Sequence, residues 1–134
     1  MEENERKELI ENHFLFKEGD RFLDAAGLNR DWPEGRGIFI NGDYSLLVWI
    51  NEEDELRIIS MLLGDHIDLV FKRLSRFTEL IESALHFAHD DKLGYLTSCP
   101  TNIGTGLRAS VHIQLPYMAE HEDELYALAQ MYNL

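Results

Sequence analysis

One stretch of the sequence, TSCPTNIGTGLRASVHIQL at 97–115, gathers residue types that bind and activate small molecules. It contains the only cysteine, Cys99, and downstream a guanidinium, a hydroxyl and an imidazole at Arg108, Ser110 and His112. The proline after Cys99 disfavours helical geometry there, and the neighbouring hydroxyl side chains would favour a thiolate. A lone cysteine is more often a buried side chain without chemistry, so both interpretations of Cys99 stay open.

A second stretch, NEEDE at 51–55, places four carboxylates within five residues, and Arg57 follows. A charge run of this kind is usually a solvated turn. Four adjacent carboxylates repel one another, however, and a cationic ligand would relieve that repulsion. A guanidinium fits such a site because its planar fork pairs with a carboxylate through two hydrogen bonds. Arginine also clamps phosphate oxygens well, which makes Arg57 and Arg108 candidate phosphate ligands.

The elements that must position these residues follow from the spacing of apolar side chains. Residues 37–50 show two β-rich runs around Asn41-Gly42, a dipeptide typical of a tight type I′ hairpin. Both faces of the second run are apolar, which predicts a central strand covered on each side. LRIISMLL at 56–63 predicts a third, antiparallel strand. Asp65 is a candidate N-cap for a helix of about 20 residues, whose outer face includes Arg73 and whose apolar stripe is Ile67, Val70, Phe71, Leu74, Phe77 and Ile81.

Strand alternation returns at 107–115, where apolar residues predict a core face and Arg108, Ser110 and His112 share the other face. That polar face is either a solvated surface or the floor of a ligand cleft, and alternation leaves both open. Helices are predicted at the N-terminus and over 120–132. The order β-β-β-α-β-α predicts an α+β fold, a mainly antiparallel sheet flanked by helices.

Composition limits the classes of function. We expect residues 1–134 to form a single domain, long enough to bury a core without disulfides. The formal net charge of −13 argues against a nucleic-acid partner. One cysteine cannot form an intrachain disulfide, and no apolar run is long enough to span a membrane, so we expect a cytoplasmic protein without a membrane partner. The histidines other than His112 share no spacing that predicts a metal site.

Three separated motifs together resemble one family. WINEEDELRIISM at 49–61, LGYLTSCPTNIGTGLRASVHIQLP at 93–116 and ENHFLFKEGDRFL at 11–23 resemble the catalytic domain of the phosphagen (ATP:guanidino) kinases, in family order. CPTN followed by RASVHI resembles the arginine kinase branch. The resemblance implies reversible transfer of the γ-phosphoryl group of ATP to a guanidino nitrogen, with ATP or ADP bound together with Mg²⁺. Arginine is the guanidino substrate that it favours.

The resemblance also implies roles for individual residues. Glu53 would hold and orient the substrate guanidinium, and Cys99 would be the reactive thiol beside it. The residues implied near the nucleotide are Arg57, Arg108, His13, His112 and Ser110. Glu55 departs from the family pattern, which usually has histidine there, and this change would alter the charge beside Arg57.

The match covers only part of the family's catalytic machinery. The N-terminal helical domain with its specificity loop, an upstream segment with two phosphate-binding arginines and the mobile RGTxGE loop are absent from the sequence. We therefore expect a partial catalytic domain with little independent activity. Three alternatives remain open: a non-catalytic adenine-nucleotide-binding module, a homodimer formed through an exposed sheet edge, and a kinase that acts on arginines within proteins.

Overall fold

The computed structural model describes residues 2–16, 24–25, 27 and 29–133. It confirms the predicted α+β class, with the elements α1 (Glu3–Glu11), β1 (Gly37–Ile40), β2 (Leu46–Ile50), β3 (Leu56–Ser60), α2 (Ile67–Glu82), β4 (His89–Asp90), β5 (Gly94–Tyr95) and α3 (Glu122–Met131). Strands β1, β2 and β3 form an antiparallel sheet in that order. Strands β4 and β5 form a separate small hairpin, which the sequence analysis did not predict.

Strand β2 is the centre of the sheet, as its apolar run predicted. Leu46, Leu47 and Val48 are buried, and Leu47 has no exposed surface. Val48 pairs with Phe39 of β1 and with Ile58 of β3, so β2 has a hydrogen-bonded neighbour on each side. Branched apolar side chains suit this pleated surface, and each fully buried one contributes about 1.5–3 kcal/mol.

The loop between β1 and β2 is longer than predicted, and the type I′ turn at Asn41-Gly42 was wrong. Residues 41–45 connect the strands, and Tyr44, at φ 57°, adopts the left-handed backbone. The Asn41 side chain bridges this loop: its Oδ1 accepts the Leu46 N–H at 2.9 Å, and its Nδ2 donates to Ser45 Oγ at 3.0 Å. Asparagine bonds backbone groups across a turn in this way, and here the bonding favours the wider loop.

Helix α2 lies against β3. The Ser60 hydroxyl donates to the Val70 carbonyl at 2.9 Å, which links strand and helix. Much of the predicted apolar stripe is half-buried at helical spacing: Val70, Leu74, Phe77 and Ile81. Ile67 and Phe71 were wrongly assigned to that stripe, since their side chains are mostly exposed near the start of the helix.

Two further predictions for α2 were wrong. Arg73 was expected outside, but its Nη1 donates to the carbonyls of Ser45 at 3.0 Å and Met61 at 3.1 Å. A long arginine side chain can reach back along apolar surface to such carbonyls, and here it ties the helix to the sheet. Asp65 does not cap the helix: His66 is the N-cap residue, it makes no side-chain capping bond, and the Asp65 side chain is 98% exposed.

The N-terminal helix is confirmed, but the residues after it make the attachment to the sheet. Helix α1 has no buried side chain, whereas Phe16 is buried and its ring meets the Trp49 ring edge-on at 5.4 Å. Trp49 Nε1 donates to the Phe14 carbonyl at 2.9 Å. The ENHF segment is therefore held on the Trp49 side of the sheet. Residues 17–23 of the motif ENHFLFKEGDRFL lie outside the described residues.

Residues 107–115 do not form the predicted strand. The segment has no regular secondary structure, and no strand in the described part of the chain pairs with it. Leu107, Val111 and Ile113, predicted as core, are 50%, 69% and 69% exposed. Alternation reports which face would be apolar, but a strand also needs a neighbour for its backbone groups. The closing helix is confirmed as α3, and it too has no buried side chain.

Candidate active site

The acidic run at 51–55 forms the loop between β2 and β3. Asn51 takes the left-handed backbone at φ 56°, and its N–H donates to the Glu55 carbonyl at 3.0 Å. Its side-chain amide donates to the Gly35 carbonyl at 2.7 Å, while Arg36 Nε donates to the Asn51 carbonyl at 3.2 Å. Asparagine tolerates positive φ, so these bonds fix the loop without a glycine. The run is thus an ordered loop rather than only a solvated turn.

Asp54 joins the acidic loop to the loop that carries Cys99. Its Oδ1 accepts the Cys99 N–H at 2.9 Å, and its Oδ2 accepts a hydrogen bond from Asn102 Nδ2 at 2.7 Å. Beside it, the Ser98 hydroxyl donates to Glu55 Oε1 at 3.0 Å. The structure therefore places Cys99 next to the loop that contains Glu53, the two residues predicted to contact a guanidinium.

The loop around Cys99 is also fixed from within. Thr97 Oγ1 donates to the Cys99 carbonyl at 2.7 Å, and Cys99 Sγ lies 3.0 Å from Thr101 Oγ1. Residues Pro100–Asn102 form a 3₁₀ turn, and Cys99 before it is extended, at φ −85° and ψ 117°. This agrees with the effect expected of proline on the preceding residue. Cys99 is half-buried and forms no disulfide.

The hairpin β4–β5 anchors the far end of the same loop. Tyr95 and Gly104 exchange two backbone hydrogen bonds of 2.8 and 3.2 Å. Gly94 permits this approach, since its φ is 79° and a Cβ there would lie 2.4 Å from the Gly104 oxygen. The Tyr95 hydroxyl donates to Glu82 at the end of α2, and this hydrogen bond raises the pKa of Tyr95. The Cys99 loop is thus held by the hairpin as well as by the acidic loop.

An open cleft of about 550 Å³ lies between the acidic loop and the turn that ends at Arg36. Its carboxylate-rich wall consists of Glu52, Glu53, Asp54 and Glu55, with Ser98. Arg30, Asp31 and Glu34 contribute to the lining from the turn. A wall rich in carboxylates attracts a cation and disfavours an anion. Glu53, predicted to orient a guanidinium, therefore faces a space whose charge suits one.

Arg57, a predicted phosphate ligand, lies on β3 beside the acidic loop. Its Nη1 is 3.6 Å from Glu52 Oε2, and its guanidinium carbon is 5.2 Å from the centre of the Trp49 ring. The side chain is 45% exposed, which leaves donors free to meet an anion. The carboxylate beside Arg57 is therefore that of Glu52. Glu55, singled out from the sequence for this position, accepts a hydrogen bond from Ser98 instead.

None of the residues predicted to contact the nucleotide, Arg57 included, lines the cleft. The exposed segment 107–115 carries Arg108, Ser110 and His112, and none of the three lines the cleft. His13 is exposed at φ 61° and directly precedes Phe14, whose carbonyl bonds Trp49, so it shares the Trp49 side of the sheet with Arg57. The structure assembles the residues predicted for the guanidinium and leaves those predicted for the nucleotide apart.

Sequence reasoning missed the linking role of Asp54 and its partner Asn102. The residue types were visible, because an aspartate and an asparagine offer complementary acceptors and donors. The two residues are 48 positions apart, however, and three other carboxylates adjoin Asp54. Only the fold selects which carboxylate meets the asparagine.

Two classes of feature are absent from the part of the chain that the structure describes. Within residues 2–16, 24–25, 27 and 29–133, no three His, Cys, Asp or Glu side chains are grouped to hold a metal ion. No helix in these ranges has the length and apolar character needed to cross a membrane.

Comparison with known proteins relates the whole chain to one family. The whole chain, residues 1–134, matches the family model of the ATP:guanido phosphotransferase C-terminal catalytic domain. An arginine kinase of Anthopleura japonica is 58% identical over 123 residues, which are 92% of this chain and 17% of that protein. An arginine kinase of Penaeus japonicus is 54% identical over 134 residues, all of this chain and 38% of that protein. The duplicated taurocyamine kinase from Schistosoma mansoni with bound transition state analog components superposes with a TM-score of 0.81, at 50% identity over 89% of this chain and 17% of that one.

Proposed function

This chain belongs to the ATP:guanido phosphotransferase family, within its C-terminal catalytic domain, and from that premise we propose that it takes part in reversible transfer of the γ-phosphoryl group of ATP to arginine. One observation carries the proposal: Asp54 holds the Cys99 loop against the acidic loop, so that Cys99 lies beside a cleft lined by Glu53. Arginine is favoured as substrate because the relatives at 54% and 58% identity are arginine kinases, whereas the taurocyamine kinase is 50% identical.

On the guanidinium side, Glu53 acts first as an orienting group. Its carboxylate accepts hydrogen bonds from two guanidinium N–H groups and so fixes the plane of the substrate. Cys99, on the adjoining loop, contacts the same group from a second direction. In-line phosphoryl transfer asks little covalent chemistry of the protein, and positioning supplies much of the acceleration. A role for Glu53 as general base is secondary to this positioning.

On the nucleotide side, the residues of this chain fit ATP or ADP in part. Arg57 presents an exposed guanidinium next to the acidic loop, which suits a phosphate oxygen. Mg²⁺ bound to the nucleotide would supply neutralisation of phosphate charge. The segment 107–115, which has no paired strand among the described residues, carries Arg108, Ser110 and His112. It needs a surface to pack against before these side chains can meet one nucleotide. The 134 residues span 17–38% of the length of the relatives compared. We propose low turnover for them because Arg108, Ser110 and His112 do not converge on the cleft, and the loss of one electrostatic contact can cost about 3 kcal/mol.

A coupled assay of ADP formation tests the proposal. The chain at high concentration is supplied with Mg-ATP and arginine, and taurocyamine replaces arginine in a parallel series. We expect slow arginine-dependent turnover, with less product from taurocyamine. Citrulline is the matched control, since its uncharged ureido group replaces the guanidinium. A complete lack of arginine-dependent product would overturn catalysis by this chain, and a preference for taurocyamine would overturn the choice of arginine.

A second candidate is adenine-nucleotide binding without turnover, and the exposed guanidinium of Arg57 beside the acidic loop favours it. Calorimetry with ADP decides between the two. Binding that persists in an inactive chain and disappears in Arg57→Ala and Arg108→Ala would support the binding module. Heats that are the same with and without ADP would exclude it.

Self-association and location complete the proposal. Leu107, Val111, Ile113 and Leu115 form no sheet edge, but their exposed apolar side chains favour a homodimer. Light scattering over a concentration series would detect it as a doubled mass. A pure monomer at high concentration would contradict it. The proposed compartment is the cytoplasm, supported by a single cysteine that has no intrachain disulfide partner.

A further inference from the structure

Asp54 is the side chain that joins the two loops of the candidate active site, and the proposed reaction does not itself assign it a task. We propose that Asp54 is a positioning residue that sets the place of Cys99 relative to Glu53. Its two carboxylate oxygens accept hydrogen bonds from the Cys99 N–H at 2.9 Å and from the Asn102 amide at 2.7 Å. The importance of these two hydrogen bonds for catalysis rests on the proposed function, whereas the hydrogen bonds themselves do not.

The two bonds span the whole 3₁₀ turn. Cys99 is the N-cap residue of that turn, and Asn102 is its last residue. A single hydrogen bond would let the turn rotate about the contact, but two bonds to one planar carboxylate fix its orientation as well as its distance. Hydrogen bonds to an ionised carboxylate are also stronger than neutral ones. Asp54 therefore controls the direction of the Cys99 backbone, from which the thiol projects.

The acidic loop divides its tasks among its carboxylates. Glu52 forms an ion pair with Arg57. Glu55 accepts a hydrogen bond from the Ser98 hydroxyl, and Asp54 accepts one from the Cys99 N–H. Glu53 lines the cleft between these engaged neighbours. All four carboxylates line the cleft, and Glu53 is the one without a partner among the described residues, so its charge is available to a ligand.

The only cysteine of the chain makes this link measurable without substrate. The Cys99 thiol is half-buried, and the rate at which iodoacetamide alkylates it should rise when its loop leaves the acidic loop more often. Asp54→Ala removes both hydrogen bonds, and Asn102→Ala removes one without changing charge. A hydrogen bond to a charged group is worth enough to change such an opening equilibrium by about tenfold or more. We expect alkylation to accelerate by about tenfold or more in Asp54→Ala and by several-fold in Asn102→Ala.

A charge exchange separates this role from general destabilisation. Asn102→Asp sets two carboxylates against each other and should accelerate alkylation at least as much as Asn102→Ala. Adding Asp54→Asn restores one donor and one acceptor at the same total charge, and should return the rate to within about threefold of the unaltered chain. Asp65→Asn, in a side chain that is 98% exposed, is the control for charge alone and should leave the rate unchanged.

The outcomes are distinct. Unchanged alkylation in Asp54→Ala and Asn102→Ala, or a double variant as fast as Asn102→Asp, overturns the proposal. Thermal unfolding of each variant shows whether a faster rate comes from the loop or from the whole fold. If Asp54→Ala does not fold, Asn102→Ala, Asn102→Asp and the double variant Asp54→Asn with Asn102→Asp still test the proposal. Because no ATP or arginine is present, a chain that never phosphorylates arginine but shows this pattern keeps Asp54 in its role and refutes only the proposed function.

Discussion

The two halves of the stretch 97–115 are held in opposite ways. The Cys99 loop meets Asp54 on one side and the β4–β5 hairpin on the other, whereas residues 107–115 have no paired strand beside them in the described ranges and expose their apolar side chains. The first half is stabilised by side-chain hydrogen bonds and glycine geometry available within the chain. The second needs a backbone partner. The part of the site proposed to hold the guanidinium can therefore form without the part proposed to hold the nucleotide.

The largest expected effect is on Glu53, in the assembled half. Glu53→Gln removes the charge and one acceptor from the cleft wall, so arginine-dependent ADP formation should fall by about 10²–10³-fold, by analogy with the loss of one transition-state contact. The coupled assay measures it. Glu79→Gln, on the exposed side of α2, is the control and should retain the original rate. If Glu53→Gln were as active as this control, the proposed role of Glu53 in the reaction would be wrong.

Next is the backbone approach that anchors the Cys99 loop. Gly94→Ala places a Cβ about where the Gly104 oxygen lies, on a left-handed backbone, and should lower the free energy of unfolding by roughly 2–4 kcal/mol. Denaturant unfolding measures the change. Gly42→Ala is the matched control, because a Cβ there has no atom within 4 Å, and should cost less than about 1 kcal/mol. Equal losses in the two variants would mean that the Tyr95–Gly104 bridge does not anchor the loop.

A smaller effect concerns the hydrogen bond from Tyr95 to Glu82. This bond raises the pKa of Tyr95, so the folded chain keeps the phenol proton to higher pH than the unfolded chain does. Its stabilisation is fully present below the unfolded pKa, near 10, and is lost as pH rises through the folded pKa. We expect Tyr95→Phe to be less stable by under about 1 kcal/mol at pH 8, because the pair is exposed.

Unfolding measured from pH 8 to 11 tests that sign. The stability difference between the unaltered chain and Tyr95→Phe should shrink as pH rises. Tyr126→Phe, on an exposed residue of α3, should show no such trend. A difference for Tyr95→Phe that stays constant or grows with pH would contradict the assigned hydrogen bond.

The smallest effect is expected in the unpaired half. Ile113→Ala should change the free energy of unfolding by less than about 0.5 kcal/mol, since the side chain is already 69% exposed. Leu47→Ala, in the fully buried centre of β2, should cost about 2–5 kcal/mol in the same measurement. If Ile113→Ala cost as much as Leu47→Ala, the segment would be packed in solution and the contrast between the two halves would not hold.

Much of the architecture was predictable because the relevant signals are local. An uninterrupted apolar run predicts the central strand β2, and apolar spacing predicts the middle of α2. Arg73 was wrongly predicted on the outer face of α2 and Ile67 wrongly predicted in its apolar stripe, because periodicity identifies the apolar face of a helix but not where that face ends. At 107–115 the alternation predicted a strand that the structure does not contain, because no residue type within the segment tells whether a neighbouring strand is available.

The candidate site was predictable in its chemistry more than in its connections. Charge made the acidic run a candidate for binding a guanidinium, and the resemblance to the phosphagen kinases implied the individual roles of Glu53 and Cys99. The protein partner of each carboxylate depends on the fold, which brings Asp54 to Asn102 and Glu55, rather than Glu52, to Ser98. These choices among adjacent acids arise from tertiary packing, which residue spacing does not encode. The roles of Arg108, Ser110 and His112 stay predictions.

Trp49 has a consequence beyond packing. Its indole donates to the Phe14 carbonyl on one side and lies 5.2 Å from the Arg57 guanidinium on the other. Indole fluorescence responds to a nearby cation and to the partner of its N–H, so the emission of this ring depends on where Arg57 points. An anion that draws Arg57 away would alter the emission spectrum. The chain thus carries an intrinsic optical probe at the boundary between its N-terminal segment and the arginine proposed to hold a phosphate.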